Sequence, residues 1–449
     1  MNRNSSKPKQ VIKYYISLLV VTILLTSCSK KDLFYLGGIQ VAEDDSKTWV
    51  QGLKKAKMNT VSVTVYAKQG DWDSDNLWHS GFDENVIEEI RAAKKAGLHV
   101  VLILRVALDH AYERNRFLWH GMIMPKDRKA LDSWFKKYTE YVLLWAKIAQ
   151  KERVDVLGIG SELKALSATR QGTDSTLTNE YDNFIDWQQK YKRLVINHKD
   201  ELSKRHLWVR GQDNFADLEN FLTAKAVANT DWAKKVYFKD EKWSSDKVRA
   251  YRKLLQGHWE TLIQKVRENY RRQITYASNF DNYERVAFWN QLDLVGINAY
   301  FKLRDLEDEG LDLALSKKLD KSWQQIFNDL DSFRVKEGIV SKVLFTELGY
   351  TFRESCTIAP WAHDEFSVVE KQDTSQLFIW YEQPIDKTER FEAIQSLYRV
   401  NQSYNLLKGI LYWKLSTKKE HSKYEDFLLY IGEDSEDPLL EFFPTFINQ

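Results

Sequence analysis

Cysteine is almost absent from this chain: 449 residues hold two, Cys28 and Cys356. Cys28 falls at the end of a leader-like segment, which leaves Cys356 alone. A single thiol forms no internal disulfide, so a fold of this size must be held by its core. An excess of charge is missing too. Lys and Arg number 66 against 64 Asp and Glu, a formal net charge of +2. The two signs are interspersed, so no basic stripe indicates a nucleic acid or another polyanion as partner. The nine histidines are dispersed, with no His-Glu-x-x-His or other close ligand spacing, which argues against a catalytic metal. No Gly-rich phosphate loop follows a strand-like run and no Gly-x-Ser-x-Gly elbow is present. A nucleotide-binding sheet and an esterase are thereby disfavoured, and no cofactor is expected.

A membrane-spanning run is lacking as well. The apolar stretch Ile16 to Leu25 is too short to span a bilayer comfortably. It follows Arg3, Lys7, Lys9 and Lys13 and ends in Leu25-Thr-Ser-Cys28, an order that resembles a bacterial lipoprotein signal. The resemblance implies cleavage before Cys28, lipidation of its thiol, export to the cell envelope and attachment to a membrane. A plain N-terminal anchor, or a secretory peptide with an incidental cysteine, is the alternative. Residues 1–28 are accordingly set apart from a body of residues 29–449.

What the body does contain is a globular mixture, 43% hydrophobic and 29% charged, with 16 Trp and 22 Tyr. Flat aromatic faces suit sugar rings, although large aromatics also serve as ordinary packing. Strand-like runs at Phe34–Val41, Asn59–Tyr66 and His99–Arg105 alternate with helical periodicities through Trp49, Leu53 and Ala56, and through Val86, Ile87, Ile90 and Ala93. Asp83 is placed to cap the second helix and Gly97 to stop it. A helix over Asp132–Gln150 then feeds a strand ending at Glu162, and further strands are expected at Gln273–Asn279, Leu292–Tyr300, Val343–Glu347 and Gly409–Leu415. Eight strands separated by helical segments predict a closed (β/α)8 barrel, with an open doubly wound sheet as the weaker alternative. Charged, helix-prone sequence over about 168–258 interrupts the rhythm, so a helical insertion is expected after strand 4. Such an insertion would stand on the catalytic face of a barrel, either shaping the substrate site or serving as a packing appendage.

Two of these runs end in a glutamate: Asp155-Val-Leu-Gly-Ile-Gly-Ser-Glu162 and Val343-Leu-Phe-Thr-Glu347. A buried strand carries no charge until it leaves the core, which puts both carboxyls at the C-terminal mouth where barrel enzymes build their sites. Hydrolysis of a glycosidic bond needs such a pair, one carboxylic acid for the leaving oxygen and one carboxylate for the developing oxocarbenium carbon. Strand-end glutamates can also bind metals or simply meet solvent. Under the glycosidase reading, Glu162 is expected to have its pKa raised by partial burial and by the Glu347 charge.

The motifs Trp119-His-Gly-Met-Ile-Met-Pro125, Trp134-Phe-Lys-Lys-Tyr138, Ile159-Gly-Ser-Glu-Leu163, Tyr276-Ala-Ser-Asn-Phe280, Gly296-Ile-Asn-Ala-Tyr-Phe301, Thr346-Glu-Leu-Gly-Tyr350 and Trp413, taken in that order, resemble glycoside hydrolase family 113. The resemblance runs from about Phe34 to Trp413. It implies a retaining clan A barrel acting on a polysaccharide or oligosaccharide as a β-1,4-mannanase, with Glu162 as acid/base and Glu347 as nucleophile. It further implies that Tyr300 holds the nucleophile, that Asn279, Asn298, Trp119 and Trp413 line the sugar cleft, and that Arg105 is the basic residue at the end of the third strand. Ser161 stands where related clan A enzymes carry an asparagine before the acid/base. A non-catalytic glycan-binding lipoprotein on the same barrel is the alternative from another class.

Overall fold

The computed structural model describes residues 33–448 apart from 82, 206, 208–214, 240–243, 307–313, 363–365 and 372. The leader segment and Cys28 lie outside the described residues. Among the described residues no helix is long and apolar enough to cross a membrane.

Eight parallel strands form a closed barrel: β1 (Tyr35–Gln40), β2 (Thr60–Gln69), β3 (His99–Leu108), β4 (Val156–Ser161), β5 (Gln273–Asn279), β6 (Val295–Asn298), β7 (Val343–Leu348) and β8 (Leu407–Ser416). Each pairs with its successor, and β1 closes the ring by pairing with both β8 and β2. Strands covered on both faces can be apolar throughout, and β4 and β7 are buried at every position. The sixth strand is shorter than the run Leu292–Tyr300 suggested, and the third continues three residues past Arg105.

The outer layer comprises α1 (Ser46–Lys55), α2 (Glu84–Lys95), α3 (Arg128–Lys151), α7 (Ser245–Asn269), α8 (Leu315–Lys336) and α9 (Thr388–Tyr404), with α4 to α6 in the insertion. Asp83 caps α2 by accepting from the Asn85 and Val86 amides, and Gly97 takes φ +79° just beyond its end, the left-handed stop that glycine permits at low cost. Helix α3 is fixed by polar tips on an apolar face. Trp134 Nε1 donates to Gln69 Oε1 (2.8 Å), Tyr138 Oη to the Ile159 carbonyl (2.7 Å) and Tyr141 Oη to the Val65 carbonyl (2.8 Å). Much of the aromatic load is therefore core: Trp49, Trp134, Trp145, Trp259, Trp289 and Trp323 are fully buried. The β5–β6 connection departs from the alternating pattern, carrying only the short 3₁₀ turns Tyr283–Arg285 and Trp289–Gln291. Its side chains pack on neighbours instead, Phe288 stacking on Trp259 of α7 and Tyr283 meeting Phe333 of α8 edge-on.

The insertion after β4 contains α4 (Asp174–Ile196), α5 (Lys199–Arg205) and α6 (Leu218–Val236). Its C-terminal limit differs from the expected residue 258. Helix α7 runs unbroken from Ser245, and Trp259 near its middle packs edge-on to Phe135 and Tyr138 of α3. It is thus a helix of the barrel's own ring, and its charged N-terminal half disguised that in the sequence. The two ends of the insertion meet: Asp174 accepts from Ser245 Oγ and Arg249 Nη1, both at 2.5 Å, and Arg252 Nη1 donates to the Arg170 carbonyl. An antiparallel hairpin, Phe366–Lys371 with Thr374–Ile379, follows β7. Its Phe366, Val368 and Leu377 pack on the insertion core of Val195, Leu202, Leu218 and Leu222.

One buried carboxyl belongs to the scaffold. Glu89 on α2 is 8% exposed and accepts from Trp49 Nε1 at 2.8 Å. Burial pushes its pKa up from 4.5 to about 7, outweighing the hydrogen bonds from Gln40 and Trp49, with Glu43 adding repulsion. The folded state therefore holds the proton more tightly than the unfolded chain. The stabilisation this gives is present below pH 4.5 and lost as pH rises to 7. Glu89→Gln keeps the acceptor for Trp49 without the charge, and at pH 8 should raise the unfolding free energy on the order of 3 kcal/mol over wild type. Urea unfolding at pH 5 and pH 8 checks this; equal stability of the two proteins at pH 8 would contradict it.

Candidate active site

The C-terminal mouth of the barrel gathers most of the residues singled out in the sequence. Asn279, Asn298 and Glu347 are aligned by strand register across β5, β6 and β7. In-register neighbours on parallel strands present their side chains to the same face. Glu347 is 3% exposed, and Tyr300 Oη donates to its Oε2 at 2.6 Å. Burial pushes the Tyr300 phenol well above its usual pKa, so the phenol remains a donor.

Glu162 lies one residue beyond β4, in the left-handed backbone region at φ +54°. A non-glycine residue there costs about 1–2 kcal/mol. The conformation is fixed by its surroundings: the Glu162 amide donates to the Ala277 carbonyl (2.9 Å), the Leu163 amide to Tyr276 Oη (2.9 Å), and the Lys164 amide to the Glu162 carbonyl (2.8 Å). The turn aims the carboxylate at three partners. His120 Nε2 is 2.9 Å from its Oε2, Arg105 Nη1 is 3.9 Å from the same oxygen, and Asn298 hydrogen-bonds the carboxylate.

Arg105 joins the two glutamates. Its Nη2 pairs with Glu347 Oε1, and its Nη1 faces Glu162. It lies within β3 rather than at its end, 8% exposed, with its guanidinium carbon 5.3 Å from the centre of the Trp413 ring. Trp413 therefore reaches the cluster through a cation–π contact. Asn298 Oδ1 accepts from Thr346 Oγ1 (2.8 Å), while its amide nitrogen lies 3.4 Å from Ser161 Oγ.

The remaining two predicted residues stand farther out. Trp119 meets His120 edge-on at 4.9 Å, and its ring lies where any side chain at residue 121 would be, which Gly121 leaves clear. Asn279 is the last residue of β5 and half-buried. Among the described residues neither Trp119 nor Asn279 hydrogen-bonds either glutamate. The sequence reading missed two residues. His120 holds Glu162, and its only signal was adjacency to Trp119 in the Trp-His-Gly-Met motif. Tyr66, in register with Arg105 and 49% exposed, offers an aromatic face at the mouth and ended an expected strand.

The electrostatics overturn one expectation. Burial does push Glu162 upward, but the hydrogen bond and charge of His120, then the charge of Arg105 and the Asn298 hydrogen bond, prevail and hold its pKa down at about 2. In the free protein Glu162 is therefore ionised. With the carboxylate ionised, the hydrogen bond to His120 has the ring nitrogen as donor. Two acidic groups, a buried guanidinium and an imidazole thus share one mouth, an arrangement suited to proton transfer beside a second, fixed carboxylate. Among the described residues no group of three or more His, Cys, Asp or Glu could hold a metal ion.

The sequence matches the family model described as Glycoside Hydrolase Family 113 over residues 39–210 and 195–406. The fold is similar to two solved structures. One is described as a complex structure of a GH113 beta-1,4-mannanase, at 16% identity and TM-score 0.55, covering 93% of this chain and 99% of that one. The other is the GH113 beta-mannanase AaManA from Alicyclobacillus acidocaldarius in complex with ManMIm, at 13% identity and TM-score 0.57, covering 94% and 100%. At these identities the likeness establishes the fold. No curated protein sequence gives a significant match.

Proposed function

The chain belongs to glycoside hydrolase family 113, and from that premise we propose that this glycoside hydrolase is a retaining, endo-acting β-1,4-mannanase with Glu162 as acid/base and Glu347 as nucleophile. The observation that carries the reading is the convergence of both strand-end glutamates on the Arg105 guanidinium. In this mechanism Glu347 attacks the anomeric carbon as the leaving oxygen takes a proton from Glu162. Tyr300 and Arg105 hold the nucleophile oriented. Glu162, neutral only when it carries the proton, then deprotonates the water that releases the sugar. Because Glu162 is ionised at rest, its proton must arrive with or after substrate, and His120 lies 2.9 Å from the carboxylate it would reach.

Reducing ends released from a panel of mannan, glucomannan, xylan and cellulosic substrates test the activity, with the first anomer read by proton NMR. Mannan cleavage with retained configuration is expected. Preference for another backbone would replace the substrate, and an inverted first product would replace the mechanism.

Residues 1–28 are further proposed to direct export, leaving Cys28 lipidated and the enzyme held at a membrane of the bacterial envelope. The basic, apolar and Leu-Thr-Ser-Cys order supports this. Cys28→Ser should abolish metabolic labelling with palmitate and release the protein from the membrane fraction; labelling retained in that variant would refute the anchor.

A further inference from the structure

Phe280 directly follows Asn279 at the end of β5, and its amide donates to the Asn298 carbonyl at 3.1 Å. Its ring stands edge-on to Phe301 (5.6 Å) and lies nearly parallel to Trp361 (5.6 Å, 22°). Trp361 in turn lines a cleft of about 370 Å³ shared with Trp187 and Tyr191 of the insertion helix α4 and with Phe366 and Val368 of the hairpin. That volume falls in the range of small-molecule sites, roughly 300–1,000 Å³. A continuous aromatic path therefore leads from the catalytic mouth to a cleft built by the insertion and the hairpin.

The cleft keeps large apolar faces in water. Trp361 is 50% exposed, and Trp187 is 56% exposed while stacked on Tyr191 (5.4 Å, 19°). Exposed aromatic surface gathered in one concavity marks a binding site more often than packing. The charges at its edge are engaged: Lys190 pairs with Glu370, Lys302 with Asp305, and Lys225 lies over the Tyr191 ring at 5.3 Å. The surface thus suits a flat, uncharged ligand with polar edges, which describes a neutral sugar ring. The scaffold beneath is firm, because the hairpin is packed on the insertion core and His198 Nε2 is 2.9 Å from Ser375 Oγ.

We propose that this cleft is a distal sugar subsite, in which the polysaccharide chain extends from the catalytic mouth past Phe280 and stacks on Trp361 and Trp187. The ligand class rests on the glycan-cleaving function proposed above, but the site itself makes a separate claim, that the insertion and hairpin bind chain remote from the cleaved bond.

Affinity electrophoresis of the full-length Glu347→Ala protein, in gels containing each polysaccharide of the panel in turn, tests the subsite without digestion. At least one polysaccharide should retard this parent. Adding Trp187→Ala or Trp361→Ala should weaken the apparent affinity about tenfold, the loss of one good aromatic contact. In the otherwise wild-type enzyme, the same replacements should leave kcat/KM unchanged on the shortest oligosaccharide cleaved and raise KM on the longest. Retardation that ignores both tryptophans, or a parent that no polysaccharide retards, would overturn the subsite. A dimer seen by sedimentation and lost in Trp187→Ala, with retardation unchanged, would give the face to a second copy of the chain and overturn it as well. Tryptophan-dependent retardation by a wild-type enzyme that cleaves nothing would remove the enzymatic reading and leave the subsite standing.

Discussion

Glu347→Ala is expected to lower turnover on every substrate by several orders of magnitude, because it removes the carboxylate that must bond to the anomeric carbon. The loss should be chemical rather than structural. Glu347 is held by Tyr300 at 2.6 Å and by Arg105, and alanine leaves a space at the mouth in which a small anion can sit beside that guanidinium. Azide should therefore restore part of the rate and yield a glycosyl azide of inverted configuration, since one displacement replaces two. Rates with and without azide, together with NMR of the product, decide the point. A variant with wild-type turnover would dissolve the catalytic pair.

Glu162→Ala should act differently. Loss of general acid catalysis typically costs about 10²- to 10⁴-fold, and the cost should fall on polysaccharide, whose leaving group needs a proton. Aryl glycosides with acidic phenols should be spared in the first step. The depressed pKa of Glu162, about 2 in the free enzyme, adds a sharper expectation. At working pH the carboxyl is ionised, so the position of the basic limb of kcat/KM should depend on the groups that hold Glu162 down, His120 first among them. The hydrogen bond and charge of His120 are the largest influences holding the Glu162 carboxyl down. His120→Ala should consequently raise the Glu162 pKa and displace the basic limb of kcat/KM, with turnover partly retained. If the limb stays where it is in wild type, His120 does not set the proton affinity of Glu162.

The barrel was legible because strands buried on both faces must be runs of apolar and β-branched residues, and a glutamate closing such a run stands out. β4 and β7, with Glu162 and Glu347 at their C-terminal ends, were visible for that reason. Helix α2 was legible because its limits are chemical: an aspartate that caps and a glycine that turns left. Features that depend on distant partners were not. His120 precedes Glu162 by 42 residues, and no local pattern announces that a 3₁₀ turn will bring its ring to that carboxylate. The sign of the Glu162 shift followed from the same omission, since burial and Glu347 alone argue for a raised value. The start of α7 was hidden by the charged residues of its first turns, and the hairpin at 366–379 by strands of six residues with partly exposed faces.

The meeting of the insertion's two ends at Asp174 and Ser245 bears on how separable the segment is from the barrel. A segment that leaves and re-enters a scaffold at one point needs only a short new loop to close the gap it leaves. Here, however, its removal would also strip the hairpin of its packing and the Met122 carbonyl of the Trp232 hydrogen bond. The residues proposed for catalysis, on or just past β3, β4, β6, β7 and β8 and in the turn at His120, lie in the host. The insertion is thus tied to the host at one entry point and along one packed face, so a change within it can reach the hairpin and the His120 turn without touching the strands of the barrel.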